Sequence, residues 1–244
     1  MNKIIILIPC YNEDQNIVDV VQNIHDHVAS NDFFYNNTSI NYIILNDCSN
    51  DNTLDICMKN DFNYLSLPVN LGIGGCVQAG YLYALERGYD IAIQHDGDGQ
   101  HDPRYFKDII SPLILNQADI AIGSRFLDKK GFQSTWLRRF GIGFLSKLIF
   151  LCTGLQLHDV TSGYRAVNRK YIKVFAEHYA QDYPEPESIM DAALNKAKII
   201  EVPVIMHKRK KGMSSIVALN PIYYMIKVSL SILLHRVIAS KKAV

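Results

Sequence analysis

Two carboxylates one residue apart are the strongest chemical feature of the chain. They lie in Gln94-His95-Asp96-Gly97-Asp98-Gly99-Gln100-His101-Asp102-Pro103. Acidic side chains this close repel each other unless a cation lies between them. Hard oxygen ligands suit Mg²⁺ or Mn²⁺, which keep open positions for phosphate oxygens. The stretch therefore reads as a divalent metal site for a diphosphate, or as a polar loop capping the next helix. His95 and His101 suggest zinc, but no Cys joins them at ligand spacing. A His beside an Asp reads more simply as a hydrogen-bonded loop residue. Gly97 and Gly99 let the backbone turn without a Cβ penalty.

The elements around this stretch give it a place. Tyr89-Asp90-Ile91-Ala92-Ile93 before it reads as a buried strand, and Pro103 after it suits a first helical turn. Lys3–Ile8 is apolar and largely β-branched, the pattern of a parallel strand buried on both faces. Strands are also expected at Asn41–Leu45, Phe62–Leu67, Ile91–Gln94 and Ile120–Ile122. Helices are expected at Asp14–Val28, from Ser49 or Asp51 through Met58, from Asn70 through Leu85, and from Pro103 to Leu115. This alternation predicts an α/β fold with a Rossmann-like, mostly parallel sheet and helices on both faces. Tyr11-Asn12-Glu13, Asn46-Asp47, Asp96–Asp98 and Ser124-Arg125 each follow a strand. Loops leaving one edge of a parallel sheet converge on one cleft, where such sheets bind ligands. Convergence favours the metal site over the plain loop.

Other features are less specific. Gly72-Ile73-Gly74-Gly75 at a helix start cradles a phosphate or lets a helix pack closely, and Gly80 continues a small face that favours packing. His207-Lys208-Arg209-Lys210-Lys211-Gly212-Met213-Ser214-Ser215 is a solvated charge run or a clamp on phosphate oxygens. Its interruption by Gly212 and two serines favours the clamp. Trp136–Thr153 is a strongly apolar helix with Arg138 and Arg139 at its start, fit for a core or a membrane interface. Glu185-Pro186-Glu187 opens a helix through Lys196, after a polar turn and a short strand around Arg165. Ile199–Ile205 is a further strand. Pro221–Ala239 reads as an amphipathic helix, on a membrane surface or docked on protein. No uninterrupted apolar run is long enough to span a bilayer. The net charge of +1 over 244 residues gives no reason to expect nucleic acid as partner. Cys10, Cys48, Cys57, Cys76 and Cys152 are never spaced Cys-x-x-Cys and read as buried, reduced thiols of a cytosolic protein.

Taken together, these motifs resemble family 2 glycosyltransferases of the GT-A fold, nearest to the dolichyl- or polyprenyl-phosphate sugar synthases. Ile8-Pro9-Cys10-Tyr11-Asn12-Glu13 is similar to the family's opening motif. Asn46-Asp47-Cys48-Ser49-Asn50-Asp51-Asn52-Thr53 is similar to Asp-Asp-x-Ser-x-Asp-x-Thr, with Asn46 replacing the first Asp. Asn70–Gly80 resembles Asn-x-Gly-x-Gly. Asp96–Pro103 resembles the metal motif, with Gly97 where Ala is usual. Gly123-Ser124-Arg125-Phe126 and Thr161-Ser162-Gly163-Tyr164-Arg165 resemble donor- and acceptor-side motifs, and Arg209–Ser214 resembles a lid over the donor diphosphate.

The resemblance implies an inverting, metal-dependent transfer from a nucleotide sugar, UDP-linked rather than GDP-linked, to a polyprenyl phosphate or a glycan. It implies Mg²⁺ or Mn²⁺ on Asp96, Asp98 and Gln100. Pro9, Tyr11, Asn12, Glu13, Asp47, Gly74, Asp96, Arg209 and Ser214 would bind the donor. Arg138, Arg139, Ser162 and Arg165 would bind the acceptor. Asp96, Asp98, Arg125 and Glu187 would be catalytic, with Glu187 preferred over Asp159, Glu185 and Asp191 as base for a hydroxyl acceptor. Residues 1–218 form the GT-A domain, with 1–125 the nucleotide-sugar half and 126–218 the acceptor half. Residues 219–244 form the C-terminal amphipathic helix and basic tail. The expected place is cytoplasmic, peripheral on the inner face of the cytoplasmic membrane, with a homo-oligomer as one expected assembly. A nucleotidyltransferase and a non-catalytic nucleotide-sugar or membrane-binding module are the rival classes.

Overall fold

The computed structural model describes residues 2–30, 38–133, 135–209 and 221–242. Its centre is a seven-stranded sheet of order β3-β2-β1-β4-β6-β5-β7. The strands are β1 (Asn2–Cys10), β2 (Thr38–Asn46), β3 (Tyr64–Ser66), β4 (Ile91–Gln94), β5 (Ile120–Ser124), β6 (Arg165–Asn168) and β7 (Ile199–Pro203). The helices are α1 (Ile17–Ser30), α2 (Thr53–Lys59), α3 (Gly72–Glu86), α4 (Phe106–Ile114), α5 (Trp136–Thr153), α6 (Arg169–Glu177), α7 (Pro184–Leu194) and α8 (Pro221–Lys242).

Strand periodicity sorts β1 between two cores. Ile5 and Leu7 face one cluster with Val77 and Tyr81 of α3. Ile4, Ile6, Ile8 and Cys10 face another with Ile17, Val20 and Ile24 of α1 and Phe106, Ile109 and Ile110 of α4. Burial on both faces is why this strand lacks polar alternation. Helix α1 starts at Ile17, not Asp14, because the Glu13 carbonyl accepts from the N–H groups of both Asn16 and Ile17 at 3.0 Å. Asp51 does not cap α2 from the N-cap position, which falls to Asn52. Its carboxylate instead accepts from Thr53 N at 2.9 Å.

Two elements depart from the expected order. Helix α6 was not anticipated. Asn168 caps it by accepting from Tyr171 N at 3.1 Å, and Tyr171, Ile172, Phe175 and Ala176 form its buried stripe. Strand β6 runs antiparallel between β4 and β5, with Arg165 opposite both Gln94 and Ile122. An antiparallel strand begins where its neighbours end. The turn leading into β6 therefore lies beside the loops leaving β4 and β5, and the acceptor-side motif meets the metal motif. Strands β1, β2, β4 and β5 run parallel, so their following loops share one edge.

Candidate active site

The Asp96–Asp98 loop is held from below by aromatic packing and from the sides by hydrogen bonds. His95 is buried at 1 % exposure, and neither ring nitrogen has a hydrogen-bond partner among the described residues. It packs edge-on against His101, Phe106 and Tyr164 at 5.5, 5.5 and 5.8 Å. It is therefore an aromatic wedge, not the hydrogen-bonded loop residue expected, and burial pushes its pKa down to about 3. His101 stacks on Tyr164 at 4.5 Å and accepts from Asp96 N at 3.0 Å. Burial lowers its pKa to about 4, so it stays neutral and able to accept. Gln94 Nε2 donates to Asp96 Oδ1 at 2.9 Å, and Asp98 Oδ1 accepts from Gln100 N at 3.0 Å.

The pair is poised for a cation. Burial raises the pKa of Asp96 against the pull of Gln94, Arg165, Arg209 and Arg125. Asp98 is raised by burial and then by the charge of Asp96. Among the described residues no three His, Cys, Asp or Glu side chains converge as metal ligands. Two carboxylates plus the Gln100 amide oxygen fit an oxygen-coordinated ion with positions left for substrate, rather than a closed zinc site.

The irregular segment that follows β7 straps this loop down. His207 N donates to Gln100 O at 2.8 Å, and Gln100 Nε2 donates to His207 O at 3.2 Å. His207 Nε2 lies 3.0 Å from Asp102 Oδ2, and Tyr164 Oη donates to Asp102 O at 2.7 Å. Arg209 then reaches back across the cleft to Glu13. Burial raises the Glu13 pKa even though Asn16 and Arg209 hold its carboxylate. Residues 210–220, with Ser214, lie outside the described residues.

The donor-side loops are stitched to each other. Asn12 takes a left-handed φ of 58°, its N–H donates to Ser49 Oγ at 3.0 Å, and its side chain accepts from Asn50 N at 2.8 Å. Glu13 N donates to Thr53 Oγ1 at 2.9 Å. Burial pushes Asp51 up, but hydrogen bonds from Thr53 and Asp14 outweigh it and leave its pKa lowered. Tyr11 stays exposed. Asp47 is buried and accepts from Leu71 N at 2.7 Å, which fixes the start of α3. Asn46 donates to Ser66 Oγ at 3.0 Å, a bond whose donor an Asp would lack. Gly74 is needed for packing: a Cβ there would come 2.2 Å from the Ala180 and Gln181 carbonyl oxygens. That observation favours close packing over a phosphate cradle.

Gly97 answers to Cys10 in the same way. Its N–H donates to Pro9 O at 3.2 Å, and a Cβ would come 2.3 Å from Cys10 Sγ. The thiol thus fills the space an alanine methyl would take. Gly97→Ala is expected to cost about 1–3 kcal/mol through overpacking. Adding Cys10→Ala removes the clashing sulfur and should restore most of the melting temperature. Equal melting of single and double variants would reject this contact. The expectation of buried thiols holds for Cys10, Cys57, Cys76 and Cys152, while Cys48 is half-buried.

After β5, Arg125 is 8 % exposed and grips Asp159 with two bonds of 2.7 Å. Arg165 is 1 % exposed. It donates to Ser162 O at 2.6 Å and to Ser188 Oγ at 2.9 Å. Ser162 is equally buried and donates to Gly123 O at 2.6 Å. Arg165 and Ser162 therefore brace the turn rather than present polar atoms to solvent. Arg138 and Arg139 are exposed on the first turn of α5, where Thr135 Oγ1 accepts from Arg138 N at 3.3 Å. Of the two glutamates opening α7, Glu185 faces the charges of Arg165, Asp96 and Arg138, and burial raises its pKa. Glu187 is half-buried like Glu185; it acts on Tyr183 and Tyr224, and Glu185 acts on Tyr224 as well. Of the two, Glu185 carries the electrostatic link to Asp96.

A parallel sheet with one antiparallel strand, and a paired-carboxylate loop after β4, define the GT-A architecture of sugar-nucleotide enzymes. The profile of "Glycosyl transferase family 2" matches residues 5–175, and the chain belongs to that family. It is a glycosyltransferase, which sets aside the nucleotidyltransferase and non-catalytic alternatives. It is 31 % identical over 221 residues to a UDP-N-acetylglucosamine–dolichyl-phosphate N-acetylglucosaminyltransferase of Methanococcus voltae, covering 82 % of this chain and 84 % of the relative. It is 25 % identical over 238 residues to a polyprenol monophosphomannose synthase of Mycolicibacterium smegmatis, covering 93 % and 86 %. Among solved structures, glucosyl-3-phosphoglycerate synthase of Mycobacterium tuberculosis, in complex with Mn²⁺, UDP and glucosyl-3-phosphoglycerate, superposes with a TM-score of 0.68. It is 17 % identical, with 96 % of this chain and 80 % of that one covered, a likeness of fold.

Proposed function

We propose that the chain transfers a sugar, with inversion, from a nucleotide-sugar donor to a polyprenyl phosphate. UDP is favoured over GDP as the nucleotide. The observation that carries this reading is the Asp96–Asp98 pair, raised by burial and facing Arg125, Arg165 and Arg209 from three other segments. The two relatives above support the acceptor, since their names specify dolichyl phosphate and polyprenol. Asp96, Asp98 and Gln100 would hold Mn²⁺ or Mg²⁺, which when bound neutralises charge developing on the leaving diphosphate.

The remaining chemistry belongs to the chain. Arg209, tethered by Glu13, supplies a preorganised positive charge beside the carboxylate pair. The acceptor phosphate is already anionic, so no general base has to take a proton. Arg138 and Arg139 receive that phosphate at the start of α5. Attack from the face opposite the diphosphate inverts the anomeric carbon. Pro9, Tyr11, Asn12 and Asp47 frame the nucleotide. The protein works as a peripheral protein on the cytoplasmic face of the membrane, where such donors and lipids meet. Among the described residues no helix is long and apolar enough to cross it.

The test incubates purified protein with Mn²⁺, a panel of nucleotide sugars and a polyprenyl phosphate. A glycosyl phospholipid of inverted configuration is expected in the organic extract. Consumption of donor only when a sugar hydroxyl is offered would reject the reading. That outcome has its own observation: burial raises the Glu185 pKa, the direction a general base needs. With a lipid phosphate, Glu185→Gln and Glu187→Gln should each keep the rate within about tenfold. With a hydroxyl acceptor, loss of the base costs about 10²–10⁴-fold.

A further inference from the structure

Glu201 sits in the middle of β7, and its side chain is only 6 % exposed. A carboxylate this enclosed is costly unless its oxygens accept hydrogen bonds. Both of them do. Oε1 accepts from Asp159 N at 2.7 Å, and Oε2 accepts from His158 N at 2.8 Å. The Nδ1 of the His158 ring lies 2.8 Å from the same Oε2. Two consecutive backbone N–H groups of the loop before β6 thus end on one side chain of β7. Their consequence lies one residue further in, at the carboxylate of Asp159.

Asp159 is fully buried and every polar group on it is committed. Its carbonyl accepts from Ser162 N at 3.3 Å. Its Oδ2 accepts from Arg125 N at 3.1 Å and Nε at 2.7 Å, and its Oδ1 from Arg125 Nη2 at 2.7 Å. The main chain before Arg125 is held by β7 as well. Ser124 of β5 pairs with Pro203, and Val204 N donates to Ser124 O at 3.0 Å. Strand β7 therefore fixes Arg125 twice, once through the sheet and once through Glu201 and Asp159. After Asp159, the acids that act on the guanidinium are Glu185 and Asp96, so its place is set relative to the metal loop.

We propose that Glu201 is a positioning residue for Arg125: by fixing the main chain of Asp159 it aims the guanidinium at the leaving diphosphate. Without Glu201 the buried Asp159 N–H loses its acceptor, a cost the loop can relieve only by shifting. The Asp159 carboxylate then shifts too, and Arg125, bonded to both its oxygens, follows. A charge that stabilises a developing anion works only where it is preorganised. A purely structural Glu201 would weaken the fold and leave each folded molecule with an unaltered site. The inference rests on the reading that Arg125 serves the leaving diphosphate, and on no particular sugar or acceptor.

The probe is UDP or GDP, whichever the wild type binds, in the presence of Mn²⁺. Its diphosphate is the leaving group, and it carries neither sugar nor acceptor. Titration calorimetry compares four forms of the full chain, each well below its own melting temperature. They are the wild type, Glu201→Gln, the charge-free pair Arg125→Met, Asp159→Leu, and all three substitutions together. Glu201→Gln keeps the size but sets an amide NH₂ against one of the two N–H groups. Alone it should weaken nucleotide binding about tenfold, the worth of a charge-assisted hydrogen bond. Added to the charge-free pair it should change binding by less than about twofold, because the residue it acts through is gone. Unchanged affinity in Glu201→Gln overturns the inference, and so does an equal loss in both backgrounds. If Glu201→Gln does not fold, Glu201→Asp takes its place, its carboxylate one methylene short of the two N–H groups, and the same outcomes decide. Full affinity in the charge-free pair removes Arg125 from the diphosphate and overturns the inference through the reading beneath it. Binding of neither nucleotide by the wild type does the same.

Discussion

Asp98→Asn is expected to lower sugar transfer by at least about 10²–10³-fold, the cost of losing a main electrostatic stabiliser of a developing anion. The substitution keeps size and leaves the amide oxygen free to accept from Gln100 N, now 3.0 Å from Asp98 Oδ1. The loop should therefore stay folded while the pair loses half its charge. Titration calorimetry with Mn²⁺ checks the cause separately from the rate, since cation affinity should fall together with turnover. Retained turnover would remove Asp98 from the site. The acid side of the pH profile follows from the same pair. Both carboxyls are raised above the ordinary aspartate value, Asp96 by burial and Asp98 by burial and the charge of Asp96. Protons therefore compete with the cation at higher pH than at exposed aspartates. Mn²⁺ affinity should begin to fall, as pH is lowered, before the usual carboxylate range near about 4 is reached.

The carboxylate pair was legible because its signal is local. A buried strand, two acids one residue apart and flexible glycines all lie within a few residues of each other. The same holds for β1, whose apolar run needs no partner to be read as a central strand. What was not legible depends on distance along the chain. His101 holds Asp96, but its packing partner Tyr164 and the Asp102 strap from His207 come from far later segments. Arg165 is expected at the acceptor from the resemblance of its turn. Only the fold shows that its guanidinium also donates to Ser162 O and Ser188 Oγ. The direction of β6 was equally hidden, since nothing in the four residues Arg165–Asn168 says which way the strand runs. Helix α6 has a readable cap in Asn168 and a readable stripe from Tyr171 to Ala176, but it follows β6 with no turn residue to mark the change of period. Glu185 and Glu187 could not be separated by composition. Their spacing puts them on different sides of α7, and only packing says which side faces Asp96.

Asp159→Ala is expected to have the largest effect on stability. Asp159 is fully buried, and both its carboxylate oxygens hold Arg125, which is itself 8 % exposed. Burial opposes the guanidinium charge, but Asp159 more than offsets it and leaves the Arg125 pKa raised. Removing the acid strands a buried cation, which costs about 3–5 kcal/mol. Chemical denaturation should show that loss as a lower midpoint at unchanged slope. The double variant Arg125→Met, Asp159→Leu removes both charges together. It should recover much of the lost stability, because a buried ion pair and an apolar pair of similar volume are often close in free energy. Activity separates what stability joins. Arg125 Nη1 is the guanidinium nitrogen that bonds neither Asp159 nor Thr161, and under the proposed function it is the donor offered to the diphosphate. If Arg125 stabilises the leaving group, the refolded double variant stays inactive at saturating donor. If the pair only braces the loop after β5, activity returns with stability. The comparison of the single and double variants therefore assigns Arg125 to the chemistry or to the scaffold.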